Sequence, residues 1–183
     1  IRNRAQLFRQ LIGPNQMLEF QVTQEYTGQQ KHICCLLPMW KDVLDFDTKH
    51  PLEHATVKAI LPEQSPSPKH SGVAAVVNVG MDNNWTGHKL AQANLFGYGR
   101  LIWNNELSTE EILCEWIDLS FELDDSAKKQ LRAILTTSYQ TYENYTAPLG
   151  IGFMVRPNHH YGPDVDGYEY DRWGTYHFAD RYG

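Results

Sequence analysis

Hydrophobic and polar residues alternate over positions 17–24 (MLEFQVTQ), a pattern typical of a β-strand with one buried face. Positions 72–80 (GVAAVVNVG) form a continuous apolar run instead, as expected of a strand that is buried on both faces. A sheet of only these two strands could not bury both faces of the second one. The second run therefore predicts partner strands upstream in a larger protein; the alternative is that this run is not such a strand.

Four other segments have the apolar spacing of helices. One of them begins with Ser108-Thr-Glu-Glu111, a capping box, and another has Asp124 and Asp125 at its N-terminus. A polar, Pro-rich loop with a short helical piece at 57–61 is predicted for positions 47–71. The four helical segments are 33–46, with Pro38 in its first turn, 88–104, 108–121 and 124–145.

The order strand, helix, loop, strand and then helices is typical of an α/β barrel or a doubly wound sheet followed by a helical extension. The chain has 183 residues and a net charge of −6, and no Lys/Arg run exceeds two residues. These features argue against a nucleic-acid or membrane-surface partner. The apolar neighbours of Cys34 and Cys35 predict buried thiols. With Cys114 as the third cysteine, the usage favours a reducing compartment such as the cytoplasm, and secretion stays open.

Polar residues that follow parallel strands line the active sites of such folds. Glu25 follows the first strand, and Asp82, Asn83 and Trp85 follow the second. Carboxylates, amides and an indole together suit carbohydrate chemistry; the equal alternative is that Glu25 and Asp82 are ordinary solvated turn residues. Glu19 lies inside the first strand, where a face residue or salt-bridge partner is the usual role, so Glu25 is the better catalytic candidate.

The stretch 158–177 (NHHYGPDVDGYEYDRWGTYH) has many potential metal ligands. Its Asp164-Val-Asp-Gly167 segment begins like a calcium loop, but Tyr168 and Glu169 occupy the positions that need an oxygen ligand and glycine. The histidines supply no closed tetrahedral zinc set. We therefore predict neither a metal nor another cofactor.

Five segments together resemble the xylan-debranching α-glucuronidases of glycoside hydrolase family 67, from about Asn15 to the last residue. Residues 1–14 fit the family less well. The segments are NQMLEFQVTQEYTGQQKH, MWKDVLDFDT, DNNWTGHKLAQANLFGYGRLIWN, TYENYTAPLGIGFM and HHYGPDVDGYEYDRWGTYHFADR.

The resemblance implies that residues 1–103 are the last strands and helices of a catalytic (β/α)8 TIM barrel. Residues 104–183 would begin a helical C-terminal region with an aromatic loop at the substrate rim. The family removes 4-O-methyl-glucuronic acid or glucuronic acid from xylo-oligosaccharides by inverting hydrolysis without a metal. The substrate partner would be a xylo-oligosaccharide bearing glucuronic acid. The oligomeric state stays open, with a homodimer among the alternatives.

Glu25, in Thr-Gln-Glu-Tyr, matches one of the two family carboxylates that activate or position the water. The general acid and the partner Asp are expected upstream of Ile1, so the isolated chain is expected to be inactive. Trp173 and Arg172 would bind the xylose side of the substrate, with Asn83 and Trp85 as further candidates. Alternatively, Trp173 fills the interface between the barrel and the helices. The alternative functions are a non-catalytic carbohydrate-binding or oligomerisation module and a different barrel glycosidase.

Overall fold

A computed structural model describes residues 17–22, 33–49, 56–59, 72–77, 81, 83, 86 and 88–146. These described residues include two strands and four helices, a 3₁₀ turn at Lys89–Ala91, a bridge between Asp47 and Thr56, and helical residues at 57–59, where a short helical piece was predicted. In chain order the elements are β1 (Met17–Gln21), α1 (Leu37–Leu44), β2 (Gly72–Val76), α2 (Gln92–Trp103), α3 (Thr109–Ser120) and α4 (Asp125–Thr146).

The strands β1 and β2 pair in parallel, from Met17 opposite Gly72 to Gln21 opposite Val76. Helix α1 lies between them in sequence, as in a β–α–β unit. The alternation predicted for β1 is confirmed, because Phe20 is buried while Met17, Glu19 and Gln21 are exposed. Positions 23–24 of the predicted strand lie outside the described residues.

The prediction that the second strand is buried on both faces is not met among the described residues. Gly72 to Ala75 are half-buried, and Val76 is 43% exposed. The described sheet has only two strands, so its outer faces and edges have few covering residues. The partner strands expected from the sequence stay a prediction.

The helix predicted from position 33 begins only at Leu37, with Pro38 in its first turn as expected. Cys34, Cys35 and Leu36 are non-helical and buried. The Cys34 carbonyl and the N–H groups of Cys35 and Leu36 bond to side chains on distant helices, as described below, whereas the Leu36 carbonyl accepts the first bond of α1, from the Trp40 N–H. The start predicted at position 33 is therefore wrong.

The three later helices follow the predicted pattern, apart from the 3₁₀ turn that precedes α2. In the capping box of α3, the Glu111 N–H donates to the Ser108 hydroxyl at 3.2 Å and the Ser108 N–H donates to the Glu111 carboxylate at 2.8 Å. The Ala127 N–H donates to the Asp124 carboxylate at 2.8 Å and caps α4. Both predicted helix starts are confirmed.

One hydrophobic core joins the sheet to the helices. Phe20 of β1, Trp40 of α1 and Tyr98 of α2 form an aromatic cluster within it, with ring centroids 5.8–6.4 Å apart. Side chains of α3 and α4 continue this core away from the sheet, among them Ile112, Leu113, Ile117 and Leu135. The described part of the chain is thus an α/β unit that packs against a helical region.

Candidate functional site

The carboxyl ends of β1 and β2 lie at the same edge of the sheet. The pairing ends with Gln21 opposite Val76, and one further bond joins the Val22 N–H to the Val76 carbonyl at 2.9 Å. The described pairing therefore ends at the same edge on both strands. In parallel α/β structures this edge is where substrates bind.

The described residues include only part of the predicted site. Asn83 lies at a bend and is exposed to solvent. Glu25, Trp85, Arg172 and Trp173 lie outside the described residues, so their roles stay predictions.

The segment that leads from β1 back into α1 is held by the side chain of Asn94 on α2. The Leu36 N–H donates to Asn94 Oδ1 at 2.8 Å, and Asn94 Nδ2 donates to the Cys34 carbonyl at 3.0 Å. Asn94 is only 2% exposed. A primary amide thus supplies an acceptor to the Leu36 N–H and a donor to the Cys34 carbonyl in this buried segment.

Ser138 on α4 bonds to Cys35, the residue between Cys34 and Leu36. The Cys35 N–H donates to Ser138 Oγ at 2.8 Å, and this hydroxyl donates to the Leu135 carbonyl at 2.7 Å. The second bond fixes the direction of the hydroxyl hydrogen, so a lone pair of Oγ remains for Cys35. Residues 34–36 are therefore bonded to two helices of the C-terminal half.

Cys34 and Cys35 are buried, which confirms the prediction for these two thiols. Burial raises the pKa of each to about 12, and for Cys34 the nearby Cys35 and Glu143 add to the effect. Neither thiol is suited to nucleophilic chemistry at neutral pH.

Charged side chains fix α1 to the turn between α2 and α3. Lys58 lies 3.0 Å from Asp45 and 2.9 Å from Glu106, and Lys41 lies 3.2 Å from Asp45 and donates to the Asn105 carbonyl at 2.6 Å. Partial burial opposes ionisation of Asp45, but the hydrogen bonds from the two lysines outweigh it and hold its pKa below the ordinary value. This arrangement is structural, because its carboxylates are already paired.

A groove of about 290 Å³ lies between α3 and α4. Arg132 donates to the Cys114 sulfur at 2.9 Å, and Lys128 pairs with Asp118 at 2.6 Å. The charged side chains that line the groove are therefore largely paired within the protein. Within the described ranges, no cluster of three or more His, Cys, Asp or Glu side chains could hold a metal ion. No described helix is long and apolar enough to cross a membrane.

The sequence did not point to Asn94 and Ser138 as residues of interest. Their side chains bond the helices α2 and α4 to the backbone of residues 34–36. Their partners lie 58 to 103 positions away, so no local pattern points to them. One sequence signal for Asn94 was present: asparagine is a poor helix former, and here it lies among the helical residues Ala93, Leu95 and Phe96.

Comparison with known proteins matches the whole chain to two consecutive family models. Residues 2–85 match the glycosyl hydrolase family 67 middle domain, and residues 86–183 match the glycosyl hydrolase family 67 C-terminus. Similar proteins include the probable alpha-glucuronidase A of Aspergillus oryzae and the alpha-glucuronidase A of Aspergillus tubingensis, each 39% identical over 175 residues. The alpha-glucuronidase A of Emericella nidulans is 38% identical over the same length. These alignments cover 95% of the chain but only 21% of each relative.

Proposed function

Because the chain belongs to glycosyl hydrolase family 67, we propose that it is part of an α-glucuronidase that acts in xylan degradation. The enzyme would remove glucuronic acid or its 4-O-methyl derivative from xylo-oligosaccharides by inverting hydrolysis. One observation carries this proposal: two family models match the chain in order and almost end to end. The relatives named alpha-glucuronidase support it.

We further propose that β1 and β2 are strands of the family's (β/α)8 barrel. Their parallel pairing around α1 supports this, because a β–α–β unit is the repeating element of that fold. Residues 1–103 would complete the barrel and 104–183 would begin the helical region. The oligomeric state of the whole protein stays open.

Glu25 is the residue that we assign to catalysis. It follows Val22, the last described residue of the first segment, by three positions in the sequence. Its carboxylate would activate or position the water that attacks the anomeric carbon. An inverting enzyme needs about 6.5–9.5 Å between its acid and base carboxyl groups to leave room for this water.

Several of the described carboxylates are weaker candidates, because their contacts are structural. Glu111 belongs to the capping box of α3, and its pKa lies below the ordinary value because the Ser108 backbone and hydroxyl donate to it. Others pair with lysine or arginine, namely Asp45, Glu106, Glu110, Glu115 and Asp118. Glu19 is exposed in the middle of β1, away from the strand end.

The general acid and the second water-side carboxylate have no counterpart in the family motifs of residues 1–183. The chain spans 21% of the length of its relatives. We therefore expect no release of glucuronic acid from aldobiouronic acid by the 183-residue chain alone. Release by this chain would show that it contains a complete site.

The test is Glu25→Gln in the full-length protein, with Glu19→Gln as the matched control on the same strand segment. Loss of the water-side carboxylate should lower kcat by about 10²–10⁴-fold, whereas the control should retain wild-type turnover. Proton NMR of the first product should show the β anomer. Unchanged turnover in Glu25→Gln would refute the assignment, and the α anomer would indicate a retaining glycosidase.

A further inference from the structure

Helix α2 has apolar side chains on the face turned to solvent as well as on the face turned to the core. Ile102 is 50% exposed and Trp103 is 84% exposed, while Leu95 is half-buried. These three side chains share one face, because the second and third follow the first by seven and eight positions. We call them the outer stripe of α2. A helix with apolar side chains on opposite faces is usually covered on both of them in the complete protein.

The outer stripe adjoins the free edge of the described sheet. The Val76 carbonyl accepts from β1, and carbonyl groups alternate in direction along a strand. The Val73 carbonyl, three residues earlier, therefore points to the edge of β2 that β1 leaves free. The Tyr98 hydroxyl of α2 donates to this carbonyl at 3.2 Å. Leu95 and Ile102 are three and four positions from Tyr98, so they are its neighbours on the helix surface.

Helix α1 packs against a different face of α2. A Cβ built on Gly97 would be 2.5 Å from Leu37 of α1, so α1 covers the face that carries Gly97. The outer stripe lies on the other side of Tyr98 from Gly97, which follows from the helical spacing. In a (β/α)8 barrel the helices form a closed ring around the sheet, so each one has a neighbour on both sides. Among the described residues, α2 has such a neighbour only on the side of α1.

We propose that the outer stripe docks the apolar face of a helix from another strand–helix unit of the same protein, upstream of residue 1. The strand of that unit would pair with the free edge of β2. The alignments cover only 21% of each relative, so proteins of that length have ample chain for such a unit. This inference rests on the proposed barrel and does not depend on the catalytic role of Glu25.

The position of the stripe favours a helix over the substrate as its occupant. Tyr98, in the middle of α2, bonds to Val73 near the amino end of β2. Ile102 and Trp103 lie further along the helix, which runs back from the carboxyl ends of the strands. They are therefore distant from the sheet edge at which substrates bind. A second copy of the chain could cover the stripe, but one strand–helix unit covers both the stripe and the adjoining strand edge.

The experiment uses the full-length protein with a photoreactive side chain on the stripe, Trp103→p-benzoylphenylalanine. Irradiation joins this side chain to the groups that touch it. On a denaturing gel, a crosslink within one chain keeps the monomer mass, whereas a crosslink between two copies gives a covalent dimer. Peptide mass spectrometry then identifies the attached segment. Glu122→p-benzoylphenylalanine, at an exposed charged position between α3 and α4, is the matched control.

The Trp103 variant should give a crosslink within one chain, to a peptide that precedes Ile1 in the full-length protein. The Glu122 control should not attach to this peptide. A covalent dimer would identify a second copy as the occupant and overturn the inference. Adducts with solvent alone, attachment confined to residues 1–183, or attachment of both variants to the same upstream peptide would also overturn it.

Hydroxyl-radical footprinting of the unmodified full-length protein provides a test that needs no variant to fold. Trp116 is only 3% exposed and is the buried reference. Trp103 should be oxidised as slowly as Trp116, and dilution of the protein should not change its rate. Oxidation of Trp103 as fast as in the urea-unfolded protein, or protection that is lost on dilution, would overturn the inference.

Failure of this inference and failure of the proposed function are distinguishable, because neither readout depends on turnover. If Glu25→Gln retains turnover while the crosslink forms as expected, the catalytic assignment fails and the docking surface stands. If the stripe is uncovered in a full-length protein that releases glucuronic acid, only this inference fails.

Discussion

Gly97 of α2 lies directly against Leu37 of α1: a Cβ built on Gly97 would be 2.5 Å from both methyl carbons of Leu37. Leu37 is fully buried, so it has no free space into which it can move. Gly97→Ala should therefore destabilise the protein by about 1–3 kcal/mol through overpacking. Urea unfolding followed by tryptophan fluorescence measures the change.

Gly99, two positions further along the same helix, provides the matched control. A Cβ at Gly99 would meet nothing within 4 Å. Gly99→Ala should stabilise the protein by about 0.5–1 kcal/mol, because alanine loses less conformational entropy in a helix. Equal effects of the two substitutions would contradict the close approach of α2 to α1.

The buried thiols should react much more slowly than Cys114. At pH 8 we expect iodoacetamide to modify Cys34 and Cys35 at least about 100-fold more slowly than the half-buried Cys114, since the thiolate is the reactive form. Peptide mass spectrometry of the folded protein gives the three rates. Comparable rates would show that residues 34–36 are accessible.

The same thiols should make stability depend on alkaline pH. Their pKa is raised from 9.0 to about 12 in the folded protein, so their contribution is complete below pH 9. As the pH rises from 9 toward 12, the unfolded chain loses these protons first and the free energy of unfolding falls. A Cys34→Ala/Cys35→Ala variant should show a shallower decline over this range. Parallel declines in chemical unfolding experiments would refute the prediction.

Removing the cap of α3 should weaken the helical region. Ser108→Ala deletes the hydroxyl that accepts from the Glu111 N–H, and about 1 kcal/mol of stability should be lost at neutral pH. Thr109→Ala, one position further on, is the control. Because the pKa of Glu111 is lowered in the folded state, the contribution of its carboxylate is present above the ordinary value of 4.5 and disappears as the pH falls through the lowered pKa. Unfolding experiments at pH 7 and below pH 4 test both statements.

Trp173 is expected to stack on the xylose side of the substrate. In the full-length protein, Trp173→Ala should raise KM for oligosaccharides by about 10-fold or more, as expected for loss of an aromatic contact, while Trp173→Phe retains a ring face and much of the affinity. Trp103→Ala, at a tryptophan that is 84% exposed, is the control. Kinetics with xylo-oligosaccharide substrates measure the effect. An unchanged KM would place Trp173 outside the site.

The elements that could be predicted from the sequence are those whose signals are local. The capping box at Ser108 and Glu111 lies within four residues, and the alternation around Phe20 lies within one strand. Both were therefore predicted correctly. The start of α1 was placed too early because the decisive bonds to residues 34–36 come from Asn94 and Ser138, far along the chain.

Less of the candidate site than of the helices could be predicted from the sequence. Family motifs and strand ends together point to Glu25, but neither specifies how its segment is held. Strand β2 is only half-buried among the described residues, because an apolar run shows which surface can be covered and not which residues cover it. Both differences come from contacts between residues that are distant in sequence.

The bond between Cys35 and Ser138 has a consequence for the synthesis of the protein. Ser138 follows Cys35 by 103 positions, so the ribosome adds that many residues before the partner exists. At about 5–20 residues per second, this takes about 5–20 s. Throughout this interval the buried backbone of residues 34–36 lacks the helix α4 that supplies Ser138. The emerging polypeptide would therefore expose this surface to chaperones and proteases until α4 has been synthesised.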